Sequence, residues 1–176
     1  MQQEQEKIKS AFSRVSGTFA QRPSFGLGTG ISKATIKNGL TCEIKEGNWT
    51  LMADMSVQAG GNAGGPTPGV YGRAALGSCL AIGYMMRAAV MGIPVAGLEV
   101  EIQADYDDGP LFGTAAPDVP PGYLDIRYSV TIDSDAPEED IMRMLDEADK
   151  HSPYLDVFSR AQTCMRQVNI VTAKQD

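Results

Sequence analysis

The sequence predicts an α+β fold in which an antiparallel sheet wraps on a buried central helix. Three observations carry this expectation. Residues 74–91 are small or apolar almost all the way round, as in a helix covered on most faces. VAGLEVEIQADY and YLDIRYSVTID alternate apolar and polar residues with a period of two, as half-buried strands do. The order of elements is a helix, three strands, the buried helix, two strands, a helix and a last strand.

The first helix rests on Ile8, Phe12, Val15 and Phe19, which recur at helical spacing, and Arg22-Pro23 ends it. Residues 1–25 are therefore assigned as an N-terminal helical arm and 26–176 as a single domain. Residues 31–57 read as three antiparallel strands. Asn38-Gly39 predicts a two-residue type I′ turn, with Ile36, Leu40, Cys42 and Ile44 sharing the covered region. Glu46-Gly47-Asn48 makes the next turn, and QAGGNAGG reads as a flexible connection.

Thr67 and Pro68 then supply an N-cap and a first helical position for the central helix, and Gly92 and Pro94 close it. In the two long strands the inward set is Leu98, Val100, Ile102 and Ala104, facing Leu124, Ile126, Tyr128, Val130 and Ile132. A later helix starts at DAPEED, where Asp135 and Glu138 have capping-box spacing. Ser152-Pro153 opens a short further helix, and TCMRQVNIVTA reads as the final strand.

Composition narrows the function. A formal net charge of -7 argues against nucleic acid or an anionic membrane as partner, since both call for a basic footprint. Cys42, Cys79 and Cys164 show no metal-ligand spacing, and His151 is the one histidine, so neither a metal nor a cofactor is expected. The low, odd cysteine count suits a reducing cytoplasm. MQQEQEKIKSAFSRVSG lacks a secretory h-region. Gly77, Gly83 and Arg87 interrupt the most apolar stretch, which reads as a buried helix rather than a membrane span.

Cys79 is the first candidate for chemistry. Either it is a nucleophile carried on a rigid helix, or it is a small apolar filler of the core. A nucleophile needs a nearby positive group, and its helix neighbours Ala75, Leu76, Ile82 and Gly83 offer none. Arg73 and Arg87 lie on the same helix but are poorly placed by turn geometry, unless one acts across a dimer axis. Ser152 reads first as a helix N-cap, and His151 beside it is either a base near the site or a solvent-facing residue at a helix end. Cys164 is either a substitute partner thiol or a sheet residue. Trp49, Phe112, Tyr71, Tyr84, Met85, Met86 and Met91 are either an apolar pocket or plain core.

GGNAGGPTP followed by AALGSCL resembles the osmotically inducible protein C (OsmC) and organic hydroperoxide resistance family, a resemblance that covers most of residues 28–172. It implies an interlocked homodimer. It also implies reduction of organic hydroperoxides at Cys79, which becomes a sulfenic acid that a second cysteine resolves. The chain departs from the family at three places. Gly69 follows Pro68 where the peroxidases carry a glutamate shortly after that proline. GLGTGISK offers only Lys33, with Arg22 upstream, where they carry an activating arginine. Ser152-Pro153 stands where they carry their second cysteine.

The resemblance therefore implies a one-cysteine variant, with Cys79 as nucleophile and Ser152 at the position of the missing resolving cysteine. Its partners would be a second copy of the chain, a small apolar hydroperoxide and an external thiol. The alternative is a non-catalytic protein of the same fold that binds a small apolar or reactive molecule or serves in a stress response.

Overall fold

The computed structural model describes residues 2–171. Its elements in chain order are α1 (Gln2–Gln21), β1 (Lys33–Ile36), β2 (Cys42–Glu46), β3 (Trp49–Ala53), α2 (Pro68–Met91), β4 (Gly97–Tyr106), α3 (Gly109–Phe112), β5 (Tyr123–Asp133), α4 (Glu138–Asp149) and α5 (Pro153–Ser159). They form two antiparallel sheets, β1-β2-β3 and β4-β5. The α+β architecture expected from the sequence is present, with α2 at its centre.

The core is built on one stripe of α2. Leu76, Leu80, Tyr84 and Ala88 repeat every four residues and are all but inaccessible to water. They pack with Ile93, Val95, Met144 and Ala148, while Val100, Ile102, Ile126 and Val130 of β4 and β5 close the cluster from the sheet side. Gly77 marks a close approach of helix and sheet, since a Cβ there would lie 3.2 Å from Ile102 Cγ1. The opposite face of α2 is not covered as the sequence suggested. Ser78, Ile82 and Met86 are exposed, because α1 and β4 flank that side and leave a groove between them. By length and apolarity α2 is the one helix among the described residues that would pass for a membrane span. Its buried stripe, however, packs on protein.

β4 and β5 pair over their whole length, and β4 alternates inward and outward as its sequence predicts. On β5 Leu124 departs from the expected inward set and is exposed. A bulge sets Asp105 opposite Asp125 but Tyr106 opposite Tyr123, leaving Leu124 without a cross-strand partner. On the exposed face of this sheet, Arg127 grips Asp105 with two hydrogen bonds, 2.6 and 2.9 Å long.

Several local expectations are corrected. The first hairpin does not turn on two residues, because Ile36 pairs with Cys42 and Lys37–Thr41 forms the loop. The two-residue turn comes one hairpin later, between Glu46 and Trp49, with Gly47 at a φ of +54°. Positive φ at that first turn position alone matches type II′ geometry. Ile36 and Leu40 are exposed, whereas Cys42 and Ile44 are half-buried.

α4 begins two residues later than DAPEED suggested, with Pro137 at its N-cap position and no capping side chain. Ser134 holds the approach instead, accepting a hydrogen bond from the Ala136 amide and donating to the Pro94 carbonyl. TCMRQVNIVTA forms no strand within the described residues: 161–171 is irregular and exposed, with no neighbouring strand to pair with. Its last two residues lie outside the described range.

The glycine-rich stretch after β3 is an organised loop rather than a flexible connection. Asp54 is buried beneath it and accepts hydrogen bonds from the Thr41 hydroxyl and from the amides of Met55, Asn62 and Gly64. These donors, led by Thr41, hold its carboxyl below the usual aspartate range. Gly61 and Gly65 leave no room for a side chain, since a Cβ would lie 2.1 Å from the Met55 carbonyl oxygen and 2.5 Å from that of Met52. The loop delivers Thr67 and Pro68, the start of α2 and so of the helix that carries Cys79.

Candidate functional site

Cys79 lies in the middle of α2, between the buried Leu76 and Leu80, and its side chain is half-buried. Across from it is Ser152. The two residues are 73 positions apart in sequence, and Cys79 Sγ lies 3.6 Å from Ser152 Oγ. Ser152 is 7% exposed. Its oxygen caps α5 by accepting from the Leu155 amide at 3.3 Å, as the Ser-Pro pair predicts. A hydroxyl has one proton to donate, and with the oxygen engaged by Leu155 that proton is available to the sulfur.

His151 is not part of this pair. Its ring is exposed, and Nδ1 lies 2.8 Å from the Glu147 carbonyl oxygen one turn back on α4. The Glu147 carboxylate is 3.6 Å from the same nitrogen. The cations considered from the sequence are also engaged elsewhere. Arg87 stacks over the Phe12 ring at 5.3 Å, which ties α1 to α2. Arg22 lies over Phe25 at 5.4 Å, and the Arg73 guanidinium reaches back toward Gly69 in the first turn of α2. Lys33 is exposed on β1.

Among the described residues no lysine or arginine forms a hydrogen bond with Cys79. Cys42 is half-buried in β2, and Cys164 is exposed beyond α5, so neither is paired with Cys79. No group of His, Cys, Asp and Glu among the described residues is arranged to hold a metal.

Two tyrosine arrangements frame the site that the sequence did not single out. The Tyr123 hydroxyl donates to the Gly69 carbonyl at 2.8 Å, and a Cβ on Gly72 would lie 3.0 Å from the same oxygen. Small residues in the first turns of α2 thus let β5 approach closely. The second arrangement centres on Asp149, the last residue of α4, which receives Tyr84 on Oδ1 at 2.7 Å and Tyr128 on Oδ2 at 2.8 Å.

Burial first, and the Asp149 carboxylate second, push the Tyr84 phenol well above its ordinary range and that of Tyr128 up to about 12. The only sequence signal for this clamp was a lone tyrosine inside an otherwise apolar helix stripe. Such a residue, when buried, usually has a partner for its hydroxyl.

Further along α2, an apolar groove of about 510 Å³ runs between α1, α2 and β4. Ile8, Ile82, Met85, Met86 and Leu98 line it, and Ile82 lies about one helical turn from Cys79. Trp49 and Phe112, considered with the methionines as pocket residues, are exposed elsewhere.

Residues 60–165, more than half of the chain, match the family described as OsmC-like protein. No curated protein matches the sequence. Among solved structures, an OsmC-like protein from Mycoplasma pneumoniae superposes with a TM-score of 0.64 at 16% identity, over 74% of this chain and 87% of that one. An OsmC-like protein of unknown function from Vibrio cholerae gives 0.60 at 12% identity, over 74% and 94%. An organic hydroperoxide resistance protein from Legionella pneumophila gives 0.55 at 18% identity, over 76% and 91%. At these identities the superpositions speak for the fold, and the match over residues 60–165 speaks for the family: the chain belongs to the OsmC-like proteins.

Proposed function

We propose that this protein reduces organic hydroperoxides at Cys79 as a homodimer that depends on an external thiol. The observation that carries the reading is the 3.6 Å approach of Ser152 Oγ to Cys79 Sγ. The residue standing where the resemblance puts a second cysteine does meet the candidate nucleophile. In the reaction, the Cys79 thiolate attacks the outer peroxide oxygen of ROOH. The S–O bond forms as the O–O bond breaks, and the alkoxide takes a proton to leave as ROH. Cys79 is then a sulfenic acid.

Ser152 cannot form a disulfide, so an external thiol condenses with the sulfenic acid and releases water. A second thiol cleaves that mixed disulfide, returning Cys79 and an oxidised thiol pair. A reducing cytoplasm is the compartment that would supply the thiol. No cation reaches the sulfur from the described residues of one chain, so this reading draws one from the second subunit.

The dimer reading is supported by what one chain leaves uncovered. β1–β3 packs on no helix beyond marginal contact. Trp49 in that sheet is 75% exposed, and Met165 in the irregular tail 93%. Exposed apolar surface this extensive in one chain points to a macromolecular contact.

The test is intact-mass analysis of the reduced protein after a slight excess of an organic hydroperoxide, alongside Cys79→Ser. The wild type is expected to gain one oxygen, or one thiol adduct when glutathione is present, while the variant gains neither. An unchanged wild type over minutes would reject the reading. A second reading, binding of a small apolar molecule without turnover, draws its support from the apolar groove between α1, α2 and β4.

A further inference from the structure

Ser152 is buried, yet it belongs to the short turn between α4 and α5, and its own helix holds it through two hydrogen bonds, from the Leu155 amide to its hydroxyl and from the Asp156 amide to its carbonyl. What keeps that turn against α2 is the question the site leaves open. Its backbone is wound onto the end of α4, with the Ser152 amide donating to the Asp149 carbonyl at 3.2 Å and the His151 amide to that of Ala148 at 3.0 Å. The last side chain of α4, Asp149, has both carboxylate oxygens engaged by phenols from two different elements. Tyr84 comes from α2 and Tyr128 from β5.

Tyr84 is five residues beyond Cys79 on the same helix, about 7.5 Å along its axis. Asp149 is three residues before Ser152. The path from Cys79 along α2 to Tyr84, across to Asp149, round the turn to Ser152 and back to the sulfur is a closed ring of covalent and hydrogen-bonded links. Hydrogen bonds to a carboxylate are short and about twice as strong as neutral ones, which makes this a strong polar link between α2 and the turn, beside the packing of Met144 and Ala148 on α2.

We propose that Asp149, clamped by Tyr84 and Tyr128, is the positioning residue that sets residue 152 against Cys79. It touches neither the sulfur nor the reacting oxygen. It acts by fixing how far the α4–α5 turn can move from α2. The inference rests on the reading of Cys79 and Ser152 as one site, but its test uses no hydroperoxide, so the two can fail separately.

S152C turns the distance into an equilibrium. Oxidised glutathione converts the Cys79 thiol and the introduced thiol into one intramolecular disulfide, releasing two molecules of reduced glutathione. The equilibrium constant reports how well the two positions are held together in the dithiol state. Peptide mapping confirms that Cys79 is in the bridge rather than Cys42 or Cys164. In the S152C background, Tyr128→Phe is expected to lower this constant roughly fivefold and Asp149→Asn roughly tenfold or more, as the loss of charge-assisted hydrogen bonds implies. Asp149→Glu should restore part of the loss. Arg127→Gln, on the same strand but in the surface ion pair, should leave the constant unchanged.

Thermal melting of each variant separates lost positioning from lost fold, and Tyr128→Phe, which removes one hydroxyl from an exposed side chain, keeps the test available if Asp149→Asn does not fold. A constant within twofold of the S152C parent in Tyr128→Phe and in any folded Asp149→Asn would overturn the proposal, leaving the clamp a purely stabilising contact. Absence of any bridge in S152C would overturn it as well, because the two positions would then not be held together.

Discussion

The two sheets of this protein are built from similar material and fare differently. β4-β5 has α2 behind it, and its inward residues close a core with Leu80 at 1% exposure. β1-β2-β3 has the same antiparallel pairing, and Ala53 is its one buried strand residue. Leu51, in the middle of β3, stays 45% exposed. Pairing alone therefore does not make a sheet part of the core. What separates the two is a third element that covers one face, and among the described residues only β4-β5 has it. The β1–β3 sheet is held at its end instead, where Asp54 and the Tyr71 hydroxyl, which donates to the Met52 carbonyl, tie it to the start of α2.

Two matched truncations give the strongest test of this contrast. Leu80→Ala removes a fully buried side chain and should lower unfolding stability by about 3 kcal/mol at any protein concentration. Leu51→Ala should change the dilute protein by less than about 0.5 kcal/mol. Its effect should grow as concentration rises, if a second copy covers β3 as proposed. Denaturant titrations at two concentrations, with sedimentation velocity on the same samples, check both. A Leu51→Ala loss as large as that of Leu80→Ala in monomeric protein would erase the distinction between the sheets.

Next in size is the loop that joins the two halves. Gly61 sits where a Cβ would overlap the Met55 carbonyl, and the obstacle is backbone that cannot swing aside. Gly61→Ala should cost about 2 kcal/mol, as overpacking of a tight site does. Gly83 lies on the open side of α2 with nothing near its Cβ position. Gly83→Ala should instead stabilise by up to about 1 kcal/mol through helix propensity. Thermal melts of the pair check opposite signs for the same chemical change.

What the sequence made legible follows the same division. The period-two strands, the Thr67-Pro68 and Ser152-Pro153 helix starts and the central position of α2 were readable because the rules that govern them are local. The failures came where a distant partner decides. Ile36, Leu40 and the segment 163–171 carry the pattern of covered strands, yet nothing among the described residues covers them. Asn38-Gly39 was outweighed by the pairing of Ile36 with Cys42, which left a longer loop. QAGGNAGG read as loose because glycines reveal permitted conformations and not their hydrogen bonds, and its organiser, Asp54, lies upstream of it. At the site, Cys79 and Ser152 were each identifiable, and the family resemblance suggested that they belong together. Asp149 had no signal, since an aspartate near the end of an acidic helix looks like a solvated charge until Tyr84 and Tyr128 are seen on it.

The smallest effect expected is also the one that asks whether Asp54 is the fastening of the first sheet. Its carboxyl lies below the ordinary 3.8 in the folded chain, because the Thr41 hydroxyl and three amides hydrogen-bond to the anion. A depressed folded value means that the ionised form favours the native state. The contribution is therefore fully present above the unfolded value, begins to fade as pH falls through about 4, and is gone once pH has passed below the folded value. Thr41→Val removes the largest donor and should bring the Asp54 value back toward 3.8. The stability difference between wild type and Thr41→Val should then be constant from pH 7 to pH 5 and shrink below pH 4. Carboxyl-carbon NMR titration of Asp54 checks the shift directly, and stability curves at each pH check its consequence. If the gap does not narrow in acid, Thr41 holds the loop by packing alone, and the fastening of the first sheet lies with Tyr71.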